Sequence, residues 1–413
     1  MIFRFAAAAL FCLPAALAWA AAGFGPQAAG TGFGPITRLT PPVPEGSAQP
    51  NLTTDGKGRV WLSWLETRPD RGHRFRLSSF DGTRWSQPVT VTEGTNFLAN
   101  WADFPSVFAA ADGTMAAHWL ERGSSREAYF VRIRTSRDGG RTWGATLTPH
   151  RDESASEHGF VSFYDAPGGG IGLVWLDGRA MAGQGGGHSG GDMTLRSTTI
   201  RNGAAGDELV VDARVCECCQ TSAARTTDAV LVAYRDRSDK EIRDISVARF
   251  AGGAWSAPAP VHGDRWEIHG CPVNGPAIAA TGNAAAVAWF TGAGGTPKTF
   301  AAFSGDGGRT FGAPIRLGQD APTTLGRLGL LMLSADRALV SSLERGSSGA
   351  RILLRDVRRD GRVSEPLEIA LATPDRSGGF ARLARLGPRA IVAWTEVRPG
   401  SPPAVRAASV ETR

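Results

Sequence analysis

One short pattern recurs seven times along the chain, and it constrains the fold more than any other feature of the sequence. Each copy is a strand-length run in which apolar residues alternate with small or polar ones, as in half-buried β-strands. The copies read RVWLSWLE, TMAAHWLER, GIGLVWLDGR, VLVAYRDR, AAAVAWFTG, ALVSSLERG and AIVAWTEVR. Because Gly-rich turns and similar runs border each copy, we predict an all-β chain of repeated four-stranded antiparallel sheets.

Two turns between the third and fourth strands of a repeat carry the pattern Ser-x-Asp-x-Gly-x-Thr-aromatic. The residues are Ser136, Asp138, Gly140, Thr142 and Trp143 in one turn, and Ser304, Asp306, Gly308, Thr310 and Phe311 in the other. The carboxylate of such a turn caps backbone amides, the glycine adopts positive φ, and the aromatic ring packs between sheets. We therefore interpret these aspartates as structural rather than catalytic.

These turns and the strand pattern resemble those of the BNR/Asp-box sialidase-like β-propellers over nearly all of residues 33–413. The resemblance implies that this segment is a single propeller domain. The seven repeats predict seven blades, with the six of catalytic sialidases as the alternative. The chain from Phe380 onwards supplies only three strands, so the strand PITRLT near Pro35 is expected to complete the last sheet. Such a closure of the ring would hide two sheet edges.

The first residues predict export. Residues 1–20 contain Arg4, an apolar run and Ala18-Trp19-Ala20, which is typical of a signal peptide, and residues 21–32 are predicted to be a linker. No later stretch is apolar enough for a membrane span, so a periplasmic or secreted protein is expected. The net charge of +6 comes from scattered arginines and does not indicate nucleic-acid binding.

The unusual residues fall in the loops of the third, fourth and fifth repeats. In a propeller, the loops from the fourth strand to the next blade and from the second to the third strand open on one face. Loops on that face vary without disturbing the sheets, so a binding site is expected there. The expected partner is a small molecule, a glycan, a metal ion or another periplasmic protein.

Cysteine and histidine are concentrated in two of these loops. Cys216, Cys218 and Cys219 form a C-x-C-C motif, and His269 and Cys271 form an H-x-C pair. If both segments are extended, Cys216 and Cys218 share one face and Cys219 points away. Such a soft ligand set suits copper, as Cu(I), or zinc. The alternative is disulfides that staple the loops of an interaction scaffold.

Two further histidines are candidates for the same site. His158 begins a strand near the axis, and His188 lies with Asp192 in the glycine-rich stretch QGGGHSGGDM. Either could join the metal or substrate site. The alternatives are a structural hydrogen bond for His158 and a surface loop for His188.

The family resemblance also implies candidates for a glycoside hydrolase acting on sialic acid or a related acidic sugar. Sialidases use a Tyr nucleophile with a Glu partner, an Asp acid/base and three arginines that grip the substrate carboxylate. Tyr234 is the candidate nucleophile and Asp236 a candidate acid, with Asp177, Asp192 and Glu241 as other acids. The candidate carboxylate ligands are Arg179, Arg235 and Arg243. The alternative for Tyr234, Arg235 and Asp236 is a hydrogen-bonded network at the rim.

Overall fold

The structure, a computed structural model, describes residues 32–125, 128–181, 191–318 and 323–412. The expected signal peptide, the linker up to residue 31 and His188 lie outside these residues. The described chain forms seven antiparallel sheets, one for each predicted repeat. The seven-bladed β-propeller is therefore confirmed, and the six-bladed alternative is wrong.

The strands are numbered along the chain, and the blades by the order of their innermost strands. The first strand, β1 (Phe33–Leu39), belongs to blade 7. Blade 1 contains β2 (Ser47–Thr54), β3 (Val60–Thr67), β4 (His73–Phe80) and β5 (Val89–Gly94). Blade 2 contains β6 (Ser106–Ala109), β7 (Met115–Arg122) and β8 (Tyr129–Ser136). Blade 3 contains β9 (His158–Asp165), β10 (Ile171–Asp177), β11 (Thr194–Arg201), β12 (Ala204–Ala205) and β13 (Leu209–Asp212).

The remaining blades follow the same plan. Blade 4 contains β14 (Ser222–Arg225), β15 (Val230–Arg235), β16 (Ile245–Ala251), β17 (Ala254–Trp255) and β18 (Ala259–Pro260). Blade 5 contains β19 (Ala277–Thr281), β20 (Ala284–Thr291), β21 (Lys298–Ser304) and β22 (Ile315–Arg316). Blade 6 contains β23 (Thr324–Ser334), β24 (Arg337–Gly346), β25 (Gly349–Arg358) and β26 (Leu367–Ala372), and blade 7 contains β27 (Arg382–Leu386), β28 (Arg389–Glu396) and β29 (Ala404–Thr412). Single-turn 3-10 helices lie at Arg179–Met181, Ala293–Gly295 and Arg376–Gly378.

The second strand of each blade is buried on both faces because neighbouring blades pack against it. In β10, for example, all seven residues are buried. Four of these strands carry a fully buried tryptophan, at Trp64, Trp119, Trp175 and Trp289. In the first three, the indole N–H donates to the carboxylate two residues further on, at 2.9, 3.0 and 2.8 Å. Each of these three indoles thus gains a hydrogen-bond partner from its own strand.

The N-terminal strand closes the ring. Strand β1 pairs antiparallel with β29, with Thr37 opposite Ser409 and Ile36 opposite Val410. The last sheet therefore runs β1-β29-β28-β27, as the strand count predicts. Both ends of the chain therefore share one sheet, and this pairing joins the first and last blades.

The Asp-box turns have the predicted structure. The Asp138 carboxylate accepts bonds from the Ser136 hydroxyl at 2.8 Å and from the Thr142 amide and hydroxyl at 2.9 and 2.6 Å. Asp306 repeats this pattern in blade 5. These turns join third to fourth strands, so they lie at the end of the blades opposite the loops that enter the innermost strands. The structural interpretation of these aspartates is consistent with these bonds.

The innermost strands surround a central channel. Residues of these strands and of the loops that lead into them line a cavity of about 250 Å³. Within the described ranges, no helix has the length and apolar character that crossing a membrane requires.

Candidate functional site

The cysteine-bearing segment leads from β13 of blade 3 to β14 of blade 4. The Val215 amide donates to the Met193 carbonyl at 2.9 Å, and the Cys216 amide donates to the Arg235 carbonyl at 3.1 Å. A turn follows at Glu217 and Cys218, where the chain reverses before it enters the innermost strand. The segment is therefore held against both blades at the face that carries the variable loops.

This turn brings three sulfurs together. The Cys216 sulfur lies 3.4 Å from that of Cys219 and 4.0 Å from that of Cys218, and all three lie within 4.8 Å of one another. The expectation that Cys219 points away from Cys216 is wrong, because the segment turns instead of running extended. Cys216 and Cys219 are buried, and Cys218 is half-buried.

The H-x-C pair divides between two environments. The Cys271 thiol is exposed and hydrogen-bonds with the Cys218 thiol. The His269 ring is 76% exposed, with its Nε2 atom 3.6 Å from a Glu267 carboxylate oxygen. The structure thus places Cys271 beside the three sulfurs and His269 apart from them.

The four described cysteines form no disulfide. A disulfide requires two sulfurs about 2.05 Å apart, and the separations within the cluster are 3.4 and 4.0 Å. The sulfurs are instead linked by hydrogen bonds, which shift their pKa values. Bonds from Cys218 and Cys219 hold the pKa of Cys216 well below its usual value. The bond to Cys216 raises the pKa of Cys218, and burial raises that of Cys219. Cys216 is therefore the most acidic of the three thiols.

Two arginines and two glutamates lie around the Cys216 sulfur. The Arg243 Nη1 atom lies 3.4 Å from the Cys216 sulfur and 2.7 Å from Glu217. Glu241 accepts from Arg237 at 2.6 Å and from Arg243 at 2.7 Å, and Arg237 also pairs with Glu217. Arg237 and Arg243 together lower the pKa of Glu241 to about 2. Two cations and two carboxylates thus hold the loop from blade 4 against the cysteine turn.

The four candidate catalytic residues do not converge on one site. The Tyr234 hydroxyl is buried and donates to Asp212 at 2.7 Å, and burial raises its pKa. Asp236 accepts from the Ser246 hydroxyl at 3.0 Å. Arg235 points the other way, into blade 5, and Arg179 belongs to blade 3. Tyr234 and Asp236 thus each form a hydrogen bond within the protein at the rim.

Arg235 and Arg179 already have partners inside the protein. The buried Arg235 guanidinium donates to the carbonyls of Asn274, Phe290 and Arg243, at 2.7, 2.8 and 2.6 Å. Arg179 makes two bonds of 2.7 Å to Asp177 and lies 2.8 Å from Glu208. A substrate carboxylate would have to displace these partners.

His158 lies in a cluster of its own. Its Nε2 atom is 3.0 Å from an Asp152 oxygen and 3.7 Å from an Asp177 oxygen. The ring of His150 stacks on it with centroids 4.0 Å apart. The structure therefore separates His158 from the sulfur cluster.

Sequence reasoning did not single out the polar residues around Gly159. A Cβ atom on this glycine would come 2.0 Å from an Asp103 oxygen and 2.9 Å from the Tyr129 ring, so only glycine fits. Burial raises the pKa of the Tyr129 hydroxyl, and its hydrogen bond with Glu157 and the nearby Asp103 add to this shift. The sequence did contain a signal for these residues. Asp103 lies in the loop into blade 2, which corresponds to the cysteine turn that leads into blade 4.

The channel cavity contains one acid and one cation whose charges no described partner neutralises. Asp103 is buried, one of its oxygens accepts from the Phe160 amide at 2.8 Å, and the other has no hydrogen-bond partner. Burial raises its pKa to about 7. Arg382 on β27 lies over the Phe104 ring at 5.1 Å, and burial lowers its pKa to about 10 with no carboxylate offsetting it.

Comparison with known proteins places the chain among propellers. No protein-family model matches it, and no curated protein matches it. A polysaccharide lyase of family PL25, an ulvan lyase bound to -[GlcA(1-4)Rha3S]-, is 12% identical with a TM-score of 0.54, covering 90% of this chain and 95% of its own. A protein of unknown function from Dyadobacter fermentans is 15% identical with a TM-score of 0.50, over 92% and 98%.

A sialidase is also among the similar structures. The Hadza microbial sialidase Hz136 is 13% identical with a TM-score of 0.46, covering 76% of this chain and 66% of its own. At these identities, what is shared is the propeller fold.

Proposed function

We propose that the protein binds one soft metal ion, Cu(I) in preference to Zn(II), through the thiolates of Cys216, Cys218 and Cys219. The convergence of three sulfurs at one turn carries the proposal. A metal ion 2.3 Å from three sulfurs in a trigonal plane needs sulfur pairs about 4.0 Å apart. The separations of 3.4 and 4.0 Å are near that value. Soft thiolate ligands favour Cu(I), and export of the protein, as residues 1–20 predict, would place the site outside the cytoplasm.

Two features of the surroundings support this function. Arg243 lies 3.4 Å from the Cys216 sulfur, and the lowered pKa of this thiol favours its ionisation when a metal ion binds. The exposed thiol of Cys271 bonds to Cys218 at the solvent side. We infer that Cys271 receives the ion first and passes it to the buried sulfurs by ligand exchange.

Copper loading tests this function. We expect reduced protein to bind one Cu(I) per chain in competition with a chromogenic Cu(I) chelator. Because Cys218 and Cys219 have raised pKa values and must lose their protons, affinity should tighten as pH rises, by about tenfold per pH unit for each proton displaced. A reduced protein that does not bind Cu(I) at any pH would contradict the proposal. The interaction scaffold would then be favoured.

The channel favours a second candidate function, the binding of an acidic sugar. Arg382 lines the cavity without pairing with any described carboxylate, and such a charge is costly to bury. A sugar carboxylate would neutralise it, and protonated Asp103 would donate to a second oxygen. Phe104 and Phe380 add apolar walls. A more specific form of this proposal is sialidase-type hydrolysis, in which Arg382 binds the substrate carboxylate instead of Arg179 or Arg235.

Titration with N-acetylneuraminate tests the channel function. Because the pKa of Asp103 is about 7, its carboxyl is protonated below that pH, and binding should be tighter at about pH 5.5 than at pH 8. Arg382→Met should weaken binding at least about tenfold. Asp103→Asn should bind with little pH dependence. Equal affinity of Arg382→Met and the parent would rule out this channel as the carboxylate site.

A further inference from the structure

A second group of metal-ligating atoms lies in blade 3, apart from the three sulfurs. It consists of Asp152, His158 and Asp177, whose nearest ligand atoms all lie within 4.8 Å of one another. The register of the sheet sets two of them side by side, because His158 at the start of β9 pairs directly with Asp177 at the end of β10. The loop before β9 folds back and adds Asp152. None of these residues contributes to the sulfur cluster.

The hydrogen bonds fix how His158 presents its ring. Its Nδ1 atom lies 3.3 Å from the Tyr129 carbonyl oxygen. A carbonyl only accepts, so the proton of a neutral ring is on Nδ1 and the lone pair is on Nε2. That Nε2 atom has no hydrogen-bond partner and lies 3.0 Å from an Asp152 oxygen and 3.7 Å from an Asp177 oxygen. A lone pair facing two carboxylates is repulsive, and either a proton on Nε2 or a metal ion between the three groups removes that repulsion.

The ring of His150 is held through its Nδ1 atom in the same way as that of His158. Its Nδ1 atom lies 2.9 Å from the Asp152 carbonyl oxygen, and its Nε2 atom is buried without a partner. Its ring is stacked on that of His158, nearly parallel at 13°. A ring held through Nδ1–H by a backbone carbonyl, with Nε2 left open, is the arrangement that metal-binding histidines adopt. Two adjacent rings in this arrangement are a second, independent indication of a ligand.

Comparison with the other blades separates this cluster from the common scaffold. Glu66 and Glu121 occupy the positions equivalent to Asp177, where each accepts from its tryptophan and pairs with arginines. Asp177 keeps that role, with bonds from Trp175 at 2.8 Å and from Arg179 at 2.7 Å. Blade 3 adds the two histidines and Asp152, which the scaffold role does not require.

We propose that Asp152, His158 and Asp177 bind one divalent cation of the Zn(II) class, with the ring of His150 stacked on His158 and holding it in place. Mixed imidazole and carboxylate donors suit Zn(II) better than Cu(I), so the two sites select different ions. The His158 and Asp177 side chains are fully buried, whereas that of Asp152 is 16% exposed, so the ion enters on the Asp152 side. The ion would tie the loop before β9 to the end of β10.

Co(II) substitution tests this site separately from the sulfur site. The full-length Cys216→Ser/Cys218→Ser/Cys219→Ser variant is titrated with Zn(II) by calorimetry and with Co(II) by absorption. We expect one ion per chain and a tetrahedral Co(II) spectrum without the thiolate charge-transfer band. The wild-type protein preloaded with one Cu(I) should show the same spectrum. Absence of Zn(II) and Co(II) binding in both proteins would overturn this proposal and leave the copper site untouched.

Three single variants assign the ligands. Asp152→Asn, the least buried change, should weaken Zn(II) binding at least about tenfold. Arg179→Gln removes a positive charge that competes for Asp177, so it should tighten binding. The matched control is Asp207→Asn in the same blade, where the side chain is 87% exposed, and it should bind Zn(II) as the parent does. Unchanged affinity in Asp152→Asn would overturn the ligand assignment.

Discussion

Cys216→Ser is expected to weaken Cu(I) binding at least about 100-fold, which is the largest functional effect that the structure predicts. Cys216 has the most acidic thiol of the cluster and lies within 4.0 Å of both other sulfurs. A serine hydroxyl stays protonated at neutral pH and is a hard, weak ligand for Cu(I). The two remaining thiols would also lose the sulfur with which both form hydrogen bonds. Competition with a Cu(I) chelator measures the loss, and thermal unfolding verifies that the variant is folded.

Cys271→Ser is the matched control for this experiment. Its thiol is exposed and meets only Cys218 of the cluster, so the affinity should fall by less than about tenfold. The loading rate should fall more than the affinity, because Cys271 is proposed to receive the ion. Equal losses in Cys216→Ser and Cys271→Ser would contradict a three-sulfur site, because Cys271 would then contribute as much to binding as Cys216.

Arg235→Ala is expected to lower the free energy of unfolding by about 3–5 kcal/mol. The Arg235 guanidinium is buried between blades 4 and 5, donates to three backbone carbonyls and lies over the Trp266 ring at 4.9 Å. Alanine leaves those carbonyls without donors and opens a cavity between the blades. Urea unfolding followed by tryptophan fluorescence measures the change. Arg235→Lys should recover part of the loss, because it restores the charge without the forked donors.

Arg84→Ala is the control for this measurement. Its side chain is 87% exposed and pairs only with Asp81 at 3.5 Å, so the free energy of unfolding should change by less than about 0.5 kcal/mol. An Arg235→Ala variant as stable as the parent would show that Arg235 does not stabilise the fold. Loss of acidic-sugar binding in that variant would then restore Arg235 as a carboxylate ligand.

The ring was predictable because its determinants are local. The second strands are buried on both faces, so they consist mainly of apolar and small residues instead of the half-buried alternation that was expected. The Asp138 and Asp306 turns are held by residues within four positions. Even the closure of the ring could be inferred, because a last repeat with three strands needs a fourth. That strand is β1, whose only possible position is beside β29.

The site was only partly predictable because its geometry depends on turns. The C-x-C-C motif indicated a soft ligand set, but spacing alone does not distinguish an extended segment from a turn. The turn at Glu217 and Cys218 decides that Cys219 joins Cys216. Likewise, Arg235 and Tyr234 are adjacent in sequence, yet strand alternation sends one towards blade 5 and the other towards Asp212.

The sequence by itself determined the repeated sheets, the number of blades, the structural aspartates and the face on which the unusual loops lie. Hydrophobic alternation and turn chemistry act over a few residues, so they can be read along the chain. Only the tertiary structure decided which side chains meet. His158 faces Asp152 and Asp177 instead of the sulfurs, and Asp103 and Arg382 share the channel although 279 positions separate them. Such contacts depend on how the blades pack around the axis, which short-range patterns do not encode.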